Sequence, residues 1–474
     1  MDYILSLDGP THLYNANLFN ELLLENNTFI QQHLSFNSEF TPNYVGLIWS
    51  AILLKLFSPI LAIKVFYLSY ILGLLLSVRY FIESFQEEKN QKWSIILILP
   101  FVYSYFVISG FINFHLAFIP MFLTAGYYIQ QKELKIKNSA LIAFGILLTY
   151  FSHSIVFGFL VILLGSLEFT KTILINRNTL ALLKKGLLLV LLSIIPIILT
   201  FSFLGSRESE ALYLDFWVLV DDLFQMKSMR MFNSQGTLIG YSFSTSLLII
   251  VTALIVKSVR STVSIQPKDG LLLAALLFLA SYFILPDSVG FASVFSVRIE
   301  YAFWLCIVIW IILSLKNAYL SGLASVVSLA MIIWNVSIIK SELSELNSFG
   351  KKVASASEFI ERNSIVYPIF ASNEWNHLHF SNLLGLEKPL LILENGAARQ
   401  DYFPIQYNEP YEDCINLNTN RTFSCGFEKL KIDYVIVLGS EWVAIDANRE
   451  ILNSITEKDS LVYENSFVKL YKLN

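Results

Sequence analysis

The side chains able to do chemistry lie in short polar motifs at the edges of long apolar runs. SLDGPTHLYNANLF (residues 6–19) places Asp8, His12 and Asn15 within eight residues of each other. Asn113 and His115 follow in SGFINFHLAF, His153 in YFSHSIVF, and Asp287 and Arg298 in LPDSVGFASVFSVRIEYAF. A carboxylate such as Asp8 can take the proton of an acceptor hydroxyl or amine while His12 or Asn15 orients it. An arginine at a membrane boundary, such as Arg298, can hold a lipid phosphate in a low-dielectric setting.

Each of these residues also has a structural reading. Asp8 before Gly9-Pro10 is an ordinary turn signal. A lone histidine at a helix end, such as His153, is more often satisfied by a neighbour than used as a ligand, and Asn113 and His115 can bridge a tight turn between two spans. Arg207, Glu208 and Glu210 read as a solvated loop, and Asp221 and Asp222 as the solvated face of an amphipathic segment. His12, His115 and His153 come from separate elements without local ligand spacing such as HExxH, so no metal is assigned, although a divalent metal is compatible with the composition of the loops. Neither a nucleophile elbow nor a glycine-rich phosphate loop is present.

Composition states what must position these groups. The 474 residues are 55% apolar and 15% charged, whereas soluble domains carry roughly 25% charge. The pattern is that of a polytopic membrane protein, and a net charge of −4 gives no reason to expect nucleic acid as a partner. Runs long enough to cross a bilayer occur near 60–82, 93–110, 112–130, 139–170, 186–205, 243–256, 270–286, 299–315 and 319–339. The run 139–170 is too long for one helix and carries a polar cluster around His153, so it splits and gives about ten spans. Pro42 to Phe57 reads as a helix in the interface.

Alternate loops, with Arg79 at a span end, hold 14 Lys and Arg residues against about six on the other side: Lys55, Lys64, Arg207, Lys227, Arg230 and Arg298. The positive-inside rule makes the first set cytoplasmic and the second external. Residues 1–42 and the C-terminal region 341–474 then lie outside, which favours a disulfide between Cys414 and Cys425, while Cys306 sits in an apolar run. An external N-terminus implies either a further helix upstream of Met1 or an N-out, ten-span protein. The C-terminal region has the texture of a small α/β domain, with helical spacing over 341–362, a strand at Ile365–Phe370 interrupted by Pro368, and β-rich runs at 388–394, 434–439 and 464–472. Three segments result: an external first loop with its interfacial helix (1–59), a transmembrane core (60–340) and the external domain (341–474).

The acidic first loop, the Pro-led helix TPNYVGLIWSAILLKLF and the span SPILAIKVFYLSYILGLLLSVRYF resemble the opening of GT-C glycosyltransferases, distantly the protein O-mannosyltransferases and aminoarabinose transferases. DGPTHLYN, GFINF, LPD…G…R and YFPI are similar to a group of uncharacterised bacterial GT-C-like membrane proteins. The resemblance implies a mainly α, GT-C-like fold with an external α/β domain in the bacterial inner or plasma membrane. It implies a polyprenyl-phosphate sugar donor, an unknown acceptor, Asp8 as catalytic residue and Arg298 on the donor phosphate; Asn113, His115, His153 and Asp287, by their place among the polar groups on the external side, are further substrate-binding candidates. The alternative is a non-catalytic membrane scaffold or polysaccharide-assembly partner whose C-terminal domain binds other molecules. A transporter would want mid-span ionisable groups or an inverted repeat, and neither is legible.

Overall fold

A computed structural model describes residues 6–85, 94–131, 135–205, 210–229, 235–260, 264–290, 293–315, 318–372, 374–399, 403–408, 431–439 and 460–473. Cys414 and Cys425 lie outside the described residues, as do Arg207 and Glu208.

Helix α1 (Gly9–Leu23) and strand β1 (Leu34–Phe36) precede α2 (Tyr44–Leu56) and the long α3 (Pro59–Glu83). Helices α4 (Ile112–Gln130), α5 (Ile136–Ser152), α6 (Ser154–Phe169), α7 (Thr179–Leu192) and α8 (Ile194–Gly205) follow. Strand β2 (Ala211–Leu212) leads into the short α9 (Phe216–Phe224), then α10 (Gln235–Arg260) and α11 (Gly270–Ile284). After β3 (Ser288–Val289) come α12 (Phe295–Ser314) and α13 (Ala318–Ala354). The C-terminal strands are β4 (Ile365–Phe370), β5 (Leu391–Ile392), β6 (Ile405–Tyr407), β7 (Tyr434–Leu438), β8 (Ser460–Glu464) and β9 (Val468–Lys472).

The chain is mainly helical, and its apolar helices are compatible with an integral membrane protein. Among the described residues six helices are long and apolar enough to cross a bilayer: α3, α4, α6 with its extension to Ile175, α10, α11 and α12. The number is eight if two bent pairs each make one span. In the first pair α7 and α8 meet at 59°. Pro196 lacks the N–H that α8 would otherwise give to Leu192, and its ring clashes with that carbonyl, so the helix breaks at Ser193. The second pair is Ser321–Ser337 with Glu342–Phe359. The other two of the ten expected runs form shorter apolar helices, Ile95–Ser109 and α5. The run 139–170 divides at His153, which is extended (φ −166°) and accepts the N–H of Ile155 on Nδ1 at 3.3 Å.

Two compact units emerge. The first joins residues 1–68, 108–112 and 341–474, and the second holds 69–107 and 113–340. The first loop and the C-terminal region, expected as separate segments, thus belong to one body.

In the first unit, residues expected to be irregular form a helix. Pro10 occupies the first turn of α1, where its missing N–H costs nothing, and Leu13, Tyr14, Ala16, Leu18 and Leu22 are buried. Asn20 anchors the helix to α2 by donating to the carbonyl of Ala51 at 3.0 Å. The main sheet has the order β5-β4-β7-β9-β8, with β5, β4 and β7 parallel and β9 antiparallel to both of its neighbours, β7 and β8. A two-stranded pair, β1 with β6, ties the N-terminal segment to the C-terminal one.

Pro368 does not interrupt β4. The N–H and carbonyl of Ile365 face β7, through Asp433, while the carbonyl of Val366 faces the β5 side. Pro368, in phase with Val366, therefore turns its missing donor past the end of β5, where no ladder partner is needed.

The second unit is a helical bundle around α12, which is buried along its whole spanning window. Its aromatic and polar side chains lock it to its surroundings. Tyr301 donates to the carbonyl of Phe101 at 3.0 Å, Trp304 to that of Leu223 at 3.3 Å, and Trp310 to the carboxylate of Asp269 at 2.9 Å. Lys268 caps its C-terminal end on the carbonyl of Leu313 at 2.9 Å.

Candidate functional site

The N-terminus of α1 lies against the carboxyl end of the parallel strands in the first unit. Strand β4 is followed in sequence by β5 on one side and has β7 on the other, which makes it a topological switch point. In open α/β sheets the loops leaving such a point form ligand crevices. His379, Ser381 and Asn382 come from the β4–β5 crossover, and Glu394 and Asn395 directly follow β5.

The backbone around Asp8 is fixed first. Leu7 and Asp8 donate to the carbonyls of Ile108 and Ser109 at 2.9 and 3.1 Å, which satisfies two free carbonyls at the end of the short helix Tyr105–Ser109. Gly110 then turns with φ +78°, and a Cβ there would lie 2.7 Å from the nitrogens of Asp8 and Gly9. Only glycine meets both the dihedral and the space. Two motifs singled out in the sequence, DGP and SGF, therefore pack backbone against backbone.

His379 bridges two carboxylates. Its Nδ1 lies 2.5 Å from Glu394 and its Nε2 3.4 Å from Asp8. Ser381 Oγ (2.7 Å) and Asn382 Nδ2 (3.1 Å) also donate to Glu394, and Asn382 Nδ2 reaches Thr11 Oγ1 at 3.0 Å. The side chain of Glu394 is 11% exposed and that of Asp8 28%, so Asp8 is the outer carboxylate.

Behind this group the contacts are structural. Asn15 and Asn395, both buried, exchange two amide hydrogen bonds at 2.9 and 2.8 Å. Tyr14 donates to the carbonyl of Leu390 at 2.6 Å and accepts the N–H of Ile392 at 3.0 Å, which completes the edge of β5. Burial raises the Tyr14 and Tyr407 hydroxyls above their usual range. Burial, with a smaller contribution from the nearby His379, lowers His12 to about 4, so its ring is neutral at pH 7. Its face meets Phe403 of the YFPI motif, 6.4 Å between centroids.

The remaining candidates belong to the second unit, and three of them surround one ring. His115 lies 5.9 Å from Phe114 between centroids, His153 packs edge-on at 5.4 Å, and the Arg298 guanidinium stands 5.8 Å above it. His115 also shares a hydrogen bond with Ser104 at 2.7 Å, and Asn113 is buried. Asp287 accepts from the N–H of Ser296 at 3.1 Å and from its hydroxyl, and so holds the first turn of α12.

Sequence reasoning missed His379, Glu394 and Asn382. The available signal was Glu394-Asn395 directly after the apolar run 390–393, the place where a parallel strand presents polar side chains to a crevice. No group of three or more His, Cys, Asp or Glu side chains able to hold a metal occurs among the described residues. No protein-family model and no curated protein matches the chain.

Proposed function

We propose that this chain is a membrane glycosyltransferase that moves a sugar from a polyprenyl-phosphate donor to an acceptor on the external face. Asp8 is the base that takes the acceptor proton. The observation that carries this reading is the environment of Asp8: a partly exposed carboxylate at a fixed turn, 3.4 Å from a histidine that a second, more buried carboxylate orients. A base needs such a held yet reachable position. Buried Asn15 acts in positioning α1, and His12, neutral and against Phe403, shapes the wall. In the second unit Arg298 is the residue assigned to the donor phosphate, since a guanidinium pairs bidentately with phosphate oxygens. About ten spans, with the N- and C-terminal segments external, complete the reading.

The test is transfer by the purified full chain in proteoliposomes, offered polyprenyl-phosphate hexoses and pentoses with membrane-extracted acceptors. Wild-type protein releases polyprenyl phosphate and labels an acceptor, while Asp8→Asn inserts normally and does neither. Equal transfer by Asp8→Asn removes Asp8 from the chemistry. The reciprocal Asn15–Asn395 pair and the several donors on Glu394 favour a second reading, a non-catalytic scaffold in which the cluster only joins α1 to the C-terminal sheet. On that view no donor is consumed.

A further inference from the structure

We propose that α9 and the strand before it form a foot that inserts Tyr213, Phe216 and Trp217 into the headgroup–acyl boundary of the bilayer. This stretch, ALYLDFWVLVDDLF, lies between two apolar helices, α8 and α10. From the sequence it reads as an amphipathic segment with a solvated acidic face. In the structure the distribution is different. Asp222 is buried and pairs with Lys227 at 2.6 Å, and Asp221 is engaged by Gln225 and Tyr241. Outward go Leu212 (59% exposed), Tyr213 (62%), Phe216 (54%) and Trp217 (72%). In water that surface would remain unburied at about 25 cal/mol for each Å².

What covers it follows from where it is tied. Its C-terminal half is held by α10 and α12, and the half that carries the exposed rings is tied to the end of the spanning helix α11. Tyr282, in its last turn, donates to the carbonyl of Leu219 at 2.7 Å, and the rings of Phe216 and Phe283 lie 5.2 Å apart. Just beyond that helix, β2 pairs with β3, and Asp287 donates its N–H to the carbonyl of Leu212 at 2.8 Å. The foot is thereby held at the level where a membrane span ends. Ile284 and Leu285 there are 70% and 51% exposed as well. Tyrosine and tryptophan are the residues that favour this depth, because a ring can rest among acyl carbons while its polar edge meets headgroups. The occupant is therefore lipid.

The experiment uses the full chain with its three cysteines replaced by serine, reconstituted in phosphatidylcholine vesicles. An environment-sensitive fluorophore is attached at Trp217→Cys or, in a second variant, at Tyr213→Cys. Leu276→Cys on α11 provides a lipid-facing control and Glu361→Cys a water-facing one. The expected result at 213 and 217 is loss of most emission with lipids carrying a shallow nitroxide, less with a deep one, and little with aqueous iodide. Quenching by iodide, as at 361, overturns the proposal in favour of a solvated loop. Protection from both iodide and nitroxide overturns it in favour of a protein contact. Neither outcome depends on sugar transfer, so failure here is distinct from failure of the glycosyltransferase reading.

Discussion

Asn15 is proposed as a positioning residue, and its pairing with Asn395 gives that role a measurable size. Both amides are buried, and each donates to the other at 2.9 or 2.8 Å. Replacing Asn15 with Leu removes both bonds, at about 1 kcal/mol each, and leaves the Asn395 amide in an apolar setting, at about 1–3 kcal/mol more. The expected loss is about 3–5 kcal/mol for either single variant. The double variant Asn15→Leu, Asn395→Leu replaces both partners by apolar groups and recovers much of that loss. Because the double variant then costs less than either single one, a double-mutant cycle should give a coupling of at least about 3 kcal/mol. Hydrogen exchange of the peptide covering α1, followed by mass spectrometry in detergent, reads the local opening free energy without requiring two-state unfolding of the whole chain. A coupling below about 0.5 kcal/mol would refute the reciprocal pair. Lost transfer with unchanged α1 protection would return Asn15 to the chemistry.

Two further outcomes follow from the same region. His12 has a folded pKa of about 4 against 6.5 unfolded, so the unfolded chain binds more protons between these values. Its contribution is fully present above pH 6.5 and is lost as pH falls towards 4, by at most about 3 kcal/mol because part of the ring remains accessible. His12→Phe should flatten the acid slope of α1 protection between pH 7 and 4.5, and an unchanged slope would assign it to other groups. Gly110→Ala places a Cβ 2.7 Å from the nitrogens of Asp8 and Gly9 at φ +78°. It should cost about 2 kcal/mol or more, read as faster exchange at the start of α1, and unchanged exchange would mean that the turn relaxes freely.

The apolar runs, their lengths and the break at His153 were legible in the sequence, because a bilayer constrains length and polarity locally. The β-rich runs around 365–370, 388–394, 434–439 and 464–472 were legible for a similar reason, since they are short stretches of apolar and β-branched residues. Pro368 misled because its tolerance depends on where the neighbouring strand β5 ends. Asp8 stood out by type, and α1 did not, since its buried face includes Asn15 and Asn20, whose partners Asn395 and Ala51 lie elsewhere in the chain. His379 and Glu394 carried no motif at all.

Local chemistry in the chain thus decided the long apolar helices, which are compatible with an integral membrane protein, and most of the β-rich runs, while α1 was left to tertiary contacts. Tertiary structure alone decided that residues 8, 110, 379 and 394 meet, and that Trp217 rather than Asp222 faces outward. The reason is physical: a buried polar group is tolerated only with a partner, and partners more than 300 residues apart are chosen by packing rather than by spacing.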